Sequence, residues 1–254
     1  MTRATPFAAG LATLAAERFP AIAEALSHGG ASSADRDAFV LVEPVGRLLR
    51  DLVPLDAPAE ALEAYVRLLH HAYRHWTAGG WVYRVSAGAL EAAVRGGALT
   101  SHLAHQALYV QLPEHRVWRS PAAGEIPEPL DGMFVTETAA AGTIAVLGIS
   151  GMHANRDGFS AVAVEGRADP DDPAGHELLV TVARDDGTAP FAPLLPGGRE
   201  AGLYSVANAG ELLVLTCRLL AKLPPNPAGA DRDGRRRTET VGGGEWSERV
   251  LDVT

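Results

Sequence analysis

Along the chain, apolar residues recur first with a helical period and later with a shorter one. Phe7, Leu11, Leu14, Ile22 and Leu26 form one stripe. It is entered at Thr5 and Pro6, where Thr can cap and Pro suits the first helical position, and it closes near Ser27, His28, Gly29 and Gly30. A second helix is predicted from Ser32 or Ser33 through Phe39, Val40, Leu41 and Val42. Pro44 breaks or kinks it, Leu48, Leu49, Leu52 and Val53 continue it, and Pro54 ends it. The third helix carries the clearest pattern. Asp56 and Pro58 open it, Leu62, Tyr65, Val66, Leu69, Tyr73 and Trp76 make its apolar stripe, and Gly79 with Gly80 stop it. A short aromatic strand, Trp81 to Val85, and a helix from Ser86 to Gly96 are expected next.

From residue 107 the period falls to two. The runs 107–112, 116–119, 132–138, 143–149, 159–165 and 177–184 are separated by Pro, Gly, Asp or Asn, as short strands are. The connections Pro113–His115, Ala139–Gly142 and Gly151–Gly158 are shorter than the dozen or so residues a parallel crossover needs, which predicts an antiparallel meander of five or six strands. Asn208 then caps a last helix with Leu212, Leu213, Leu215, Leu219 and Leu220, expected to cover one face of the sheet. Beyond Pro224 the chain turns to Pro, Gly, Asp and Arg. Residues 224–246 are expected to be disordered, with Arg249–Val253 a weak strand docked on an edge. The fold expected is α+β: a helical N-terminal half (about 1–105) and a sheet part (about 106–223) in one composite domain, then a flexible tail over 224–254.

Composition narrows the class. With 254 residues, 47% of them hydrophobic, the chain has ample material for a core, and wholesale disorder is excluded. No apolar run reaches the roughly 18 to 20 residues of a spanning helix. The single Cys217 can make no internal disulfide, so a cytoplasmic location is expected. Arg3 and the run Phe7–Ala16 imitate a signal peptide, but the helical stripe runs on past any cleavage point, which favours an ordinary amphipathic helix. Net charge is −9, and the acidity is concentrated in residues 121–223. Such a surface repels phosphate backbones and disfavours nucleic acid as a partner.

Candidate chemistry is sparse. In residues 69–76, Leu-His-His-Ala-Tyr-Arg-His-Trp, His71 and His75 lie one helical turn apart, a spacing that zinc or iron sites use, with His102 or His105 as the third ligand. No Glu follows the first histidine in the zincin manner. Both histidines lie opposite the apolar stripe beside Glu60 and Arg67, so the expected setting is a solvated polar face, with His70 a packed boundary residue. Gly148-Ile149-Ser150-Gly151-Met152-His153 puts a serine between glycines at a strand end. Met152 stands where a nucleophile turn needs glycine, and Asn155-Arg156-Asp157-Gly158 signals a hairpin, so Ser150, His153 and Asp157 are expected to belong to a turn. Asp169, Asp171 and Asp172 alternate with prolines and lack the Glu of a calcium loop, and Pro196–Arg199 reads as a turn rather than a phosphate cradle.

Two features point to binding. Tyr109, Trp118 and Phe134 come from adjacent β-runs and belong either to the core or to an aromatic sheet face. Arg235-Arg236-Arg237, followed by Trp246, is a basic patch suited to RNA, an anionic lipid, an acidic protein or the chain's own acidic middle segment. The sequence assigns no catalytic residue, no cofactor and no metal ligand. The function expected is non-enzymatic binding of a protein or peptide through the sheet or the acidic surface. The alternative is a metal-dependent or other hydrolase assembled around His71 and His75. An exposed edge strand would suit a dimer, but the pattern does not identify which strand lies at the edge.

Overall fold

The computed structural model describes His71, Arg74, His75, Ala78 and residues 80–119, 127–138, 141–150, 160–167, 201–223, 235–241 and 244–254. The first two predicted helices, most of the third, the run 177–184 and the start of the tail lie outside the described residues. Among the described residues there are nine strands: β1 (Trp81–Val85), β2 (Ala107–Gln111), β3 (Val117–Arg119), β4 (Glu128–Glu137), β5 (Ile144–Ser150), β6 (Ser160–Gly166), β7 (Tyr204–Val206), β8 (Arg235–Val241) and β9 (Gly244–Val253). The helices described in full are α1 (Ala87–Arg95) and α2 (Ala209–Leu220), and His71, Arg74 and His75 are helical as well.

The order across the sheet is β6-β5-β4-β2-β1-β9-β8, with β3 joining the outer end of β4 and β7 pairing with β3. This overturns the predicted helical half followed by an antiparallel meander of five or six strands. Only β4, β5 and β6 form a meander. β1, the strand expected at Trp81–Val85 within the largely helical part, belongs to the sheet itself, lies near its middle and runs parallel to both β2 and β9. The reason is α1. It occupies the connection between β1 and β2, giving a strand–helix–strand crossover long enough for parallel pairing, and loop lengths beyond residue 107 carry no trace of it. The disorder expected over 224–246 does not hold where that stretch is described: β8 and β9 pair over seven positions, from Arg235↔Val250 to Val241↔Gly244.

Local sequence explains the elements. The Ser86 hydroxyl accepts from the Ala89 N–H at the start of α1, and Gly96, at φ 128°, ends it. At α2, Asn208 accepts from the Glu211 N–H at 2.9 Å while the Glu211 carboxylate accepts from the Ala207 N–H at 2.7 Å, a reciprocal cap. Burial holds that carboxyl above its usual range.

One core lies between the helices and the first sheet face, formed by Tyr83, Leu108, Val110, Met133, Val135 and Val146 with Leu90, Leu213 and Leu215 among others. Gly148 lets α2 close on the sheet, because a Cβ there would meet Leu212, Leu130 and Val162 at 3.0 to 3.2 Å. The opposite face is equally closed: Val82, Tyr109, Phe134, Leu147 and Ile149 are all buried. Strands covered on both faces carry apolar runs rather than an alternating pattern, as β2, Ala-Leu-Tyr-Val-Gln, shows. No helix among the described residues is long and apolar enough to cross a membrane.

Candidate functional site

The helical residues His71, Arg74 and His75 lead through Gly80, at φ 67°, directly into β1. This brings His71 and His75 onto the second sheet face over β4. His71 Nδ1 lies 3.0 Å from Thr136 Oγ1, and His75 Nε2 donates to the Trp81 carbonyl at 2.9 Å. Both rings face Phe134, with centroids 6.3 and 5.7 Å away, and Phe134 in turn packs on Tyr109 at 4.8 Å. The expected solvated face is therefore wrong for this pair: His71 is 7% exposed and His75 2%. A helix lying on a covered sheet buries polar residues too, provided each finds a partner.

The chemistry of the pair follows from that burial. Desolvation lowers the His75 pKa to about 4, so its ring is neutral near pH 7, and the bond to Trp81 places the proton on Nε2. A histidine 3.0 Å from a hydroxyl has nucleophile–base spacing, yet Thr136 is itself only 4% exposed, leaving a substrate no approach in this arrangement. The proposed third ligands do not join them. His105 stacks on Trp81, with centroids 4.1 Å apart, and lies near Tyr83 on the helix-covered face, while His102 is exposed. Among the described residues no group of three or more His, Cys, Asp or Glu is placed to hold a metal ion.

The other motifs separate as well. Ser150 ends β5, is 1% exposed and lies opposite Leu130, on the helix-covered side of the sheet, while His153 and Asp157 fall outside the described residues. Asp169, Asp171, Asp172 and Pro196–Arg199 also lie outside them. Of the aromatic trio, Tyr109 and Phe134 are core, and only Trp118 is partly exposed, its indole donating to the His115 carbonyl. Tyr109 forces a glycine at position 132, two residues along β4 from its own partner Phe134: a Cβ at Gly132 would collide with the Tyr109 hydroxyl and lie 2.6 Å from the Val110 carbonyl oxygen. Cys217 is buried in α2 with its thiol pushed up to about 12 by desolvation, which makes it a poor nucleophile.

No family model, curated protein or solved structure matches the chain.

The feature that sequence reasoning missed is β8. Its neighbour β9 pairs with β1 only over Arg249–Val253, so Arg237–Val241 and Gly244–Glu248 pair with one another alone among the described strands. Among the described residues they form a two-stranded arm beyond the part of β9 that pairs with β1, roughly 15 Å long at 3.3 Å per residue. The signal was present in the chain as a Gly-Gly step at 242–243 between two β-capable runs.

Proposed function

We propose that the chain is a cytoplasmic, non-enzymatic protein-binding module that receives an extended segment of another polypeptide along β8. The observation that carries this reading is the arm. Both faces of the central sheet are filled, which removes the sheet face as a binding surface, whereas β8 ends the described strand order with one strand partner. A terminal strand offers unpaired N–H and C=O groups, a ready template for strand addition.

The bonding pattern of the arm names the residues concerned. Val241 pairs with Gly244, leaving two residues between them, and a turn of that length closes with a hydrogen-bonded pair. Pairs alternate from there, so Arg237, Glu239 and Val241 bond to β9 while the N–H and C=O of Arg236, Thr238 and Thr240 turn outward. Thr238→Pro removes an outward donor and leaves the β8–β9 bonds in place. Binding partners recovered with the wild-type chain are expected to be lost with Thr238→Pro at unchanged melting temperature; equal recovery by both would contradict the reading.

The competing reading, a hydrolase around His71 and His75, draws on the His71–Thr136 spacing. Ester or amide hydrolysis abolished by Thr136→Val in a folded protein would establish it.

A further inference from the structure

We infer that the polypeptide received by β8 is the β8 strand of a second copy of this chain, in an antiparallel pair centred on Thr238. The inference rests on the strand-addition reading above and specifies its partner.

A two-fold pair of identical strands is antiparallel and puts residue i of one copy opposite residue j of the other, with i and j exchanged on the second side. Backbone bonds across the new junction form only where outward-facing residues meet outward-facing residues, here Arg236, Thr238 and Thr240. This restricts the pair to registers centred on a residue rather than between residues. The sequence Arg-Arg-Arg-Thr-Glu-Thr-Val then discriminates among them. Centring on Arg236 or Arg237 sets arginine against arginine, and centring on Glu239 sets glutamate against glutamate, each a like-charge pair at close range.

Centring on Thr238 avoids every such clash. It places Arg237 opposite Glu239 twice, Arg236 opposite Thr240 twice, Arg235 opposite Val241 twice, and Thr238 opposite itself. It is also the register that uses the full length of β8, all seven residues. The Arg237–Glu239 positions fall at non-hydrogen-bonded pairs, where facing Cβ atoms come closest, about 4.5 to 5.5 Å, so the two ion pairs gain the most there. Strand length, bonding parity and charge order thus select the same register. The result is one sheet continued through two copies, with the outer edge of each arm closed by the other.

The test uses the full-length protein in sedimentation equilibrium over a wide concentration range, with Thr238→Pro, Arg237→Glu, Glu239→Arg and the double variant carrying both charge reversals. The wild type is expected to associate reversibly to a dimer. Thr238→Pro should be monomeric. Each single reversal should raise the dimer dissociation constant by roughly tenfold or more, as two cross-strand pairs become repulsive, and the double variant should recover the wild-type value, because the pairs are restored with their signs exchanged. That recovery separates pairing from loss of the arm, since a misfolded arm is not rescued by a second reversal. A dimer that persists in Thr238→Pro, or single reversals without effect, would overturn the inference. A wild-type monomer at all concentrations would overturn it as well; in that case, a bound protein lost with Thr238→Pro would leave the strand-addition reading standing, and one retained by both would end that reading too.

Discussion

The centre of the sheet and the β8–β9 arm are built from the same backbone pairing but spend their polar groups differently. In β1, β2, β4 and β5, both faces are covered, and the chemically capable side chains are absorbed into the interior: His75 is held by the Trp81 carbonyl, His71 lies against Thr136, and Tyr109 is wedged over Gly132. In the arm, two strands hold each other, and among the described strands the outer one has no second partner. A reactive residue type therefore says little by itself about activity. Whether the surrounding layers leave it accessible decides the matter, and here the histidines are enclosed, while β8 ends the described strand order.

The largest expected effect breaks the centre. Phe134→Ala removes the ring that Tyr109, His71 and His75 all pack against and should cost about 3 to 5 kcal/mol, measured by denaturant unfolding. The next is a pH effect. His75 titrates at about 4 in the folded chain, against 6.5 for an unperturbed histidine, so the unfolded chain binds more protons between those values. Its contribution is fully present above pH 6.5 and is lost as pH falls toward 4, roughly 3 kcal/mol over the window. Replacing His75 with Gln should flatten that part of the stability–pH curve. Asn208→Ala, which removes the cap from the helix that closes the first face, should cost about 1 kcal/mol. Smallest of all, Thr238→Pro in the arm should change global stability by less than about 0.5 kcal/mol, because a strand at the end of the order can open locally without unfolding the sheet. If the arm variant proved as damaging as Phe134→Ala, the division between the two regions would fail.

The sequence announces most elements and little of their arrangement. Trp81–Val85 is legible as a strand from its aromatic and β-branched residues, and Asn208 with Glu211 and the leucines marks α2. The order of strands is not legible, because β9 reaches β1 across more than 160 residues and no local pattern records that pairing. The histidine pair is misread for a related reason. Opposite the apolar stripe normally means toward water, and only the second covered face of the sheet reverses that. β8 is lost to composition: three arginines, two threonines and a glutamate suggest a solvated tail, although edge strands favour charged residues as protection against unwanted pairing.

Residue-resolved amide hydrogen exchange on the full-length protein, at low and at high concentration, tests the account most directly. Slow exchange is expected in β1, β2, β4 and β5 under both conditions. In β8 the amides of Arg237, Glu239 and Val241 should be protected at both concentrations, and those of Arg236, Thr238 and Thr240 only at the higher one. Fast, concentration-independent exchange throughout residues 235–248 would mean that the arm does not form and that the binding edge argued from it does not exist.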